Sequence, residues 1–558
     1  MKNKLIAVIT IIFTIFNIIG CKDGNLDKDN QYKNIQYKEA CTTPFKRYPE
    51  TITYTLGKMT QEKNSNMPLG DTYENNAYTR YIKDKLNVQN KDEFEACGTS
   101  YDNMVSIAIS QNKIPDIMIV DNYQQLKMLV ENDMIEDLSE SYKNCASDRI
   151  KNMYKSYGNK TLDEVTFNGK LMALPDTNIE QGPNMLWLRK DWMDKLNLKE
   201  PKTLKDAEYI ISQFIEKDPG KNGYQNTVGL VCSPEITSDN GWSYMTQTDI
   251  IFANFNSYPK QWVKDKNGNA VYGYVVPESK QALAYMRELY RKGILDKKFL
   301  LRGQSNIQEL IIDGKCGSFF GLWWAPNNPL IDSVKKDKNA VWMPYMISTN
   351  KDGSTSFIEQ NPTCKYVVVR KGYKHPEIVM KINSVLFDEF KSTDKSLNNI
   401  ALYYKNGIDP TARPLGINID YENALFESCD NISRALRGEV NPSSLPLIDN
   451  SYYEQCCRYL NDKEKAEPED WATYTCRIIA PSTILKAKVN KVDNVFLGET
   501  QTMTKLFWKL RSLETEAYLK IITGEEPLDY FDTFVDKWYE DGGREITYEV
   551  NEEINKNK

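Results

Sequence analysis

The sequence predicts an α/β protein with room for two lobes. Two observations carry this. Short β-branched, apolar runs alternate with amphipathic helical stretches, the pattern of sheets faced by helices. The 558 residues also exceed the roughly 250–300 at which a single core stops growing.

The elements follow in order. "ETITYTLGKM" (50–59) alternates apolar and polar residues and predicts a first strand. "NSNMPLGDTYENN" (64–76) is turn-rich, and "AYTRYIKDKLNV" (77–88) then sets Tyr78, Tyr81, Ile82 and Leu86 at helical spacing. "YDNMVSIAISQ" (101–111) predicts a helix, "IPDIMIV" (114–120) a buried parallel strand, and "YQQLKMLVENDMIEDLSE" (123–140) another helix. Later, "VGLVC" (228–232), "CGSFFG" (316–321) and "KYVVVRK" (365–371) predict strands. "ESKQALAYMRELYRKGILD" (278–296) is amphipathic, with Leu283, Met286, Leu289 and Tyr290 on one face. "HPEIVMKINSVLFDEF" (375–390) predicts a helix with Pro376 in its first turn, where a missing N–H is harmless. The C-terminal third is mostly helical, as in "TKLFWKLRSLETEAYLKIITG" (504–524).

The N-terminus predicts export. Lys2 and Lys4 precede an apolar run from Leu5 to Ile19, too short to span a bilayer comfortably and placed as in a signal peptide. Ile18-Ile19-Gly20-Cys21 is similar to the lipobox of bacterial lipoproteins. That resemblance implies cleavage after residue 20, a lipidated Cys21, and anchoring at the outer face of the cell membrane. The charged, Asn-rich residues 21–44 are expected to form a flexible tether. Losing Lys2 and Lys4 with the signal peptide moves the formal charge from -6 to -8. With no basic block, nucleic acid is excluded as a partner.

Catalytic and metal motifs are scarce. The single histidine, His375, rules out a His-Glu-x-x-His zinc site and is expected at the surface near a helix cap. The ten cysteines after Cys21 include the vicinal pair Cys456-Cys457 but no C-x-x-C, so metal-ligand spacing is missing. No G-x-S-x-G, phosphate loop or G-x-G-x-x-G occurs. One loop, "KDPGKNGYQNTVGL" (217–230), invites comparison with a calcium loop: Asp218, Asn222, the Tyr224 carbonyl and Asn226 take positions 1, 5, 7 and 9, with Gly223 at 6. Gly220 at position 3 offers no side-chain oxygen and no glutamate follows at 12. Calcium and a plain Gly/Asn turn both stay open, and no other cofactor is expected.

"GPNMLWLRKDWMDKLNLKEPKTLKDAEYIISQFIEKDPGKNG" (182–223) resembles the signature stretch of family 1 extracellular solute-binding proteins. More closely, the chain is similar to large LipO-type lipoproteins, like the alginate- and aldouronate-binding components of carbohydrate transporters. "IPDIMIVDNYQQLKMLVENDMIEDLSE", "FNGKLMALP", "GSFFGLWWAPNNPL", "KHPEIVMKINS" and "PLDYFDTFVDKWYEDGGREITYEVNE" agree in order, so the resemblance spans roughly residues 50 to 550. It implies a two-lobed periplasmic-binding-protein-like fold, each lobe a mostly parallel sheet flanked by helices, with ligand in a hinge cleft. The lobes are expected at 45–177 plus about 362–425, and at 178–361 plus about 426–550. The alginate-binding relatives carry calcium in a loop matching Asp218 to Thr227; this chain departs at Gly220, Asn226 and Thr227.

Given that resemblance, the aromatic pair Trp323-Trp324 is expected to offer ring area to the C–H face of a sugar. Neighbours diverge on any regular element, so the two rings are not expected to share one core. Trp187 and Arg189 alternate on one face, and Arg189 could fork onto a uronic carboxylate or form a salt bridge. Asp121, at a strand end, could accept sugar hydroxyls or cap the next helix. Glu74, Asn76 and Trp242 complete the candidates. The function expected is a monomeric, lipid-anchored protein that captures an oligosaccharide and delivers it to an ABC permease, with no catalysis. The alternatives are a surface-anchored lyase or glycosidase and a peptide-binding or sensing protein on the same fold.

Overall fold

The computed structural model describes residues 31–60, 67–158, 160–238, 245–389, 397–405 and 408–556. Cys21 and Trp242 lie outside them. No helix among the described residues is long and apolar enough to cross a membrane. The chain divides into two compact units. One holds the described residues up to Thr177 together with Thr363–Tyr421; the other holds Asn178–Pro362 and the chain from Glu422 onward.

The first unit is built on a five-stranded sheet in the order Val88–Ala96, Ile52–Met59, Ile117–Val120, Tyr366–Val369, Leu174–Pro175. The strand Ile52–Met59 runs parallel to both its neighbours, and Tyr366–Val369 runs antiparallel to both of its own. The expectation of a mostly parallel sheet thus becomes a mixed sheet with one reversed strand. Ile117–Val120 is buried along its whole length, as a central strand covered on both faces must be. The helix Gly98–Ser110 is pinned to it through Tyr101, whose hydroxyl donates to the Ile119 carbonyl at 2.8 Å. Asp176, fully buried, accepts from Thr363 Oγ1 and from the Cys364 and Lys365 amides at 2.9, 2.9 and 3.0 Å. These bonds tie together the two passages of chain that enter and leave the unit.

Three expectations change here. Residues 31–41, expected within a flexible tether, form a helix. Ala40 is buried, the Tyr37 hydroxyl lies 3.0 Å from His375 Nε2, and Cys145 Sγ donates to the Cys41 carbonyl; packing supplies what composition withholds. His375, expected at the surface, is half-buried among the rings of Tyr37, Tyr48 and Tyr373. Pro376 precedes the helix Ile378–Glu389 instead of standing in its first turn. The strand Val88–Ala96 went unread because its Asn, Lys, Asp and Glu content is unlike a strand's; it is the edge of the sheet, where charge protects against further pairing.

The second unit has a four-stranded sheet in the order Trp342–Tyr345, Met185–Arg189, Cys316–Gly321, Val228–Leu230. Met185–Arg189 is the reversed strand, and Cys316–Gly321 and Val228–Leu230 are parallel. Gly229 is required at its place: a Cβ there would meet the Ile294 carbonyl oxygen at 2.2 Å. The helices Pro277–Lys292 and Gln501–Thr523 cover a large aromatic core, in which Tyr272 stacks on Trp538 with centroids 5.5 Å apart and Phe252 stacks on Tyr518. Half-buried Lys491 binds three carboxylates, Glu180 and Glu422 at 2.9 Å and Glu359 at 3.4 Å. All ten cysteines after Cys21 are free thiols.

Glu514 lies inside this aromatic core with no exposure, accepting from Trp538 Nε1 at 2.7 Å. Burial disfavours the charged form and pushes its pKa up to about 7 from the ordinary 4.5, against the opposing Trp538 bond. The folded state therefore holds this proton more tightly than the unfolded chain. Stability is highest below the unfolded value and falls as pH rises through about 4.5 to 7, by about 3 kcal/mol in all. Glu514→Gln should remove this slope, seen as the difference in urea unfolding between about pH 5 and about pH 7.5.

Candidate functional site

Within the second unit, Met185–Arg189 starts, and its antiparallel neighbours Cys316–Gly321 and Trp342–Tyr345 end, at one edge of the sheet. Ligands of open α/β sheets gather beyond such carboxyl ends. Leaving Cys316–Gly321, the chain turns at once, and Trp323 and Trp324 sit in that turn. Both indoles pack against the same hydrophobic cluster, Trp323 nearly buried and Trp324 half-buried. The expected divergence fails because it holds only for regular elements, and the pair lies past the end of one. The Arg477 guanidinium stands 4.9 Å from the Trp323 ring and 4.1 Å from that of Tyr452, and donates to the Tyr452 hydroxyl at 2.8 Å. Among the described residues no carboxylate pairs with Arg477.

The same unit holds a concentration of buried polar atoms without partners among the described residues: Trp323 Nε1, Thr246 Oγ1, Gln181 Oε1, Gln360 Oε1, and both side-chain polar atoms of Asn184. Asn184 stands next to Met185, which pairs with Gly321, and the Thr246 amide donates to the Phe320 carbonyl at 2.8 Å. Asn184, Thr246 and Trp323 are thus at one end of the sheet. Asn184 and Gln360 also line a cavity of about 20 Å³ with Tyr258 and Gln261, room for about one water. Folded proteins leave few buried polar groups unsatisfied, and unsatisfied ones call for water or ligand. Asn184, Gln360 and Arg477 carried no motif, so pattern reading passed them over.

Several residues expected at ligand are committed internally. Trp187 is fully buried and donates Nε1 to the Gly321 carbonyl at 3.3 Å; it is core. Arg189 is also buried, forking onto both oxygens of Asp191 at 2.8 Å and reaching Asp337 at 3.1 Å, with its guanidinium 4.9 Å from the Trp192 ring. The salt-bridge alternative holds, with Nε and Nη2 both given to carboxylates of the chain itself. Asn76 is the buried N-cap of Ala77–Leu86: its oxygen accepts from the Tyr78 and Thr79 amides and its NH2 donates to three carbonyls. Glu74 is exposed and accepts from the Asp92 amide at 2.8 Å. Asp121 is exposed, and the cap of Tyr123–Glu131 is Asn122 instead. Crowding by surrounding protein, then the Asp102 charge, raises the Asp121 pKa. This leaves Asp121 as a carboxylate at a strand end with no capping duty.

The loop after the helix Leu204–Lys217 closes on itself. Asp218 Oδ1 accepts from Thr227 Oγ1 at 2.6 Å and the Asn222 amide at 3.0 Å, and Oδ2 accepts from the Gly223 amide at 2.8 Å. Asn222 turns its NH2 toward Thr227 Oγ1 and the Gly314 carbonyl, and Asn226 donates to the Asn222 carbonyl. A Cβ on Gly220 would lie 2.6 Å from Trp192 Cζ2, so no oxygen-bearing side chain fits at the third position. Burial works against ionisation of Asp218, but the three donors outweigh it and its pKa is lowered. A calcium ion would have to replace these donors while meeting one carboxylate. The residues do not fit the ion.

The chain matches the family described as bacterial extracellular solute-binding protein over residues 86–376. It is 24% identical over 415 residues to the polygalacturonan/rhamnogalacturonan-binding protein YtcQ of Bacillus subtilis, covering 71% of this chain and 72% of that one. It is 23% identical over 474 residues to the lipoprotein LipO of the same organism, covering 81% and 84%. In fold it is similar to the S. pneumoniae ABC-transporter substrate-binding protein FusA in complex with kestose, with a TM-score of 0.60 at 15% identity, covering 90% and 99%.

Closure of the Asp218 loop by its own donors predicts indifference to calcium. The thermal midpoint should be the same in calcium and in chelator, while Thr227→Val should cost about 1 kcal/mol in both, read from denaturant unfolding.

Proposed function

Since the chain belongs to the bacterial extracellular solute-binding protein family, we propose that it captures a uronic-acid-containing oligosaccharide outside a bacterial cell and passes it unchanged to an ABC permease. It acts as a monomer held at the outer face of the membrane by lipid on Cys21. Family membership speaks for binding and release, against the lyase and glycosidase alternative. The relatives bear different names: YtcQ is called polygalacturonan/rhamnogalacturonan-binding and FusA a fructooligosaccharide-binding component. Polygalacturonan is acidic and fructooligosaccharides are neutral, so charge at the site decides between them.

The observation that carries the acidic reading is Arg477, a guanidinium without a carboxylate partner among the described residues, laid against Trp323. Such a fork accepts a carboxylate through two parallel N–H···O bonds. Trp324 supplies half-exposed ring area for the sugar's C–H face. Trp323 Nε1, Asn184 and Gln360 supply donors and acceptors for hydroxyls, and a water filling the small cavity beside Asn184 would be released or retained as a bridge.

The test is thermal unfolding of the full chain in detergent against oligogalacturonides, xylo-oligosaccharides and fructo-oligosaccharides. A ligand at 100 times its Kd stabilises by about 2.7 kcal/mol, a shift of a few degrees. Oligogalacturonide should give that shift and be recovered unchanged. Trp324→Ala should abolish it, and Arg477→Met, which keeps the stem, should weaken acidic ligands by about 10-fold or more. An acidic ligand bound equally by the unsubstituted chain and by Arg477→Met, or a shift with neutral glycans alone, would overturn the acidic reading, and no shift with any glycan would overturn sugar capture.

A further inference from the structure

The only histidine of the chain does not serve the sugar site, and its surroundings have a chemistry of their own. In the first unit, Cys41 Sγ, a ring nitrogen of His375 and a carboxylate oxygen of Glu377 lie within 4.8 Å of one another. His375 Nδ1 faces Glu377 Oε1 at 3.3 Å, so this nitrogen points into the cluster. The other, Nε2, is 3.0 Å from the Tyr37 hydroxyl. Glu377 is held from behind by the Tyr48 hydroxyl, which donates to Oε1 at 2.6 Å. The side chains of His375 and Glu377 are 12% and 8% exposed, enough to admit an ion and too little to leave the groups as solvated surface.

We propose that Cys41, His375 and Glu377 form a zinc site that fastens the helix of residues 31–41 to the body of its unit. Sulfur, imidazole nitrogen and one carboxylate oxygen are a donor set for zinc and not for calcium or magnesium, which take oxygen. Tetrahedral bonds of 2.0–2.3 Å place ligand atoms about 3.3–3.8 Å apart, so the cluster needs to contract by about 1 Å. Side-chain rotation of Cys41 and Glu377 supplies that, with a water in the fourth position. The outer shell is already in place. Zinc-binding imidazoles give their second N–H to an acceptor that fixes the ring; with zinc on Nδ1 the ring proton moves to Nε2, where the Tyr37 oxygen at 3.0 Å stands ready to accept it. On binding, the Cys41 S–H bond breaks, the S–Zn bond forms, and the proton passes to buffer. Thiolate and carboxylate together then balance the dication. Because Cys41 is distant in sequence from His375 and Glu377, the metal would act as a staple between the N-terminal helix and the start of Ile378–Glu389.

The experiment equilibrates the metal-free full chain in detergent with zinc, removes unbound metal by dialysis, and counts zinc by mass spectrometry. One zinc per chain is expected, with Cys41→Ser and His375→Ala binding none and Cys364→Ser, outside the cluster, keeping one. Tyr37→Phe should bind about 10-fold more weakly. Cobalt on the unsubstituted chain should show a thiolate-to-metal charge-transfer band, a readout that needs no variant to fold. Zinc retained by Cys41→Ser, cobalt bound without a thiolate band, or no metal bound at all would each overturn the proposal.

Discussion

Lys491 is the common partner of three carboxylates from distant parts of the sequence. Its ammonium is held by Glu180, Glu359 and Glu422, and each of these stands within a few residues of a point where the chain passes between the two units. Burial works to lower the Lys491 pKa, but the carboxylates, Glu180 foremost, overcome it and the net shift is upward. Three carboxylates drawn together repel one another unless a cation sits among them. Remove the lysine, and three segments that arrive from distant parts of the sequence lose their common partner. In the first unit Asp176 does the reciprocal work, a buried anion gathering Thr363, Cys364 and Lys365.

The distribution of satisfied and unsatisfied polar groups separates framework from site. Arg189, Asn76 and Asp218 are charged or polar residues bonded to other groups of the protein, and each fixes an element: a strand end, a helix start, a loop. Among the described residues Asn184, Gln360 Oε1 and Trp323 Nε1 have no such bonds. A buried group left unpaired costs about 1–3 kcal/mol, so a cluster of them at the end of a sheet is retained where a ligand or water completes it. Arg477 follows the same logic for charge.

Much of the fold was legible because it rests on periodicity. Ile117–Val120, Cys316–Gly321, Pro277–Lys292 and Gln501–Thr523 all stand where apolar spacing places them. The edge strand Val88–Ala96 was not, since its sequence serves to discourage pairing. The candidate site was less legible. Arg189 and Arg477 are the same residue type in helical or strand surroundings, and nothing local says which will meet a carboxylate of its own protein. That depends on Asp191 and Asp337 reaching one and no acid among the described residues reaching the other.

By itself the sequence determined the alternation of strands and helices, the need for more than one core, and the absence of the common catalytic motifs, because these follow from spacing and composition along the chain. Tertiary structure alone decided that Trp323 and Trp324 share one cluster, that the Asp218 loop closes with its own donors, and that His375 meets Cys41 and Glu377. Each is a matter of which groups arrive beside one another after folding, and a hydrogen bond or ion pair between distant residues leaves no period for the sequence to display.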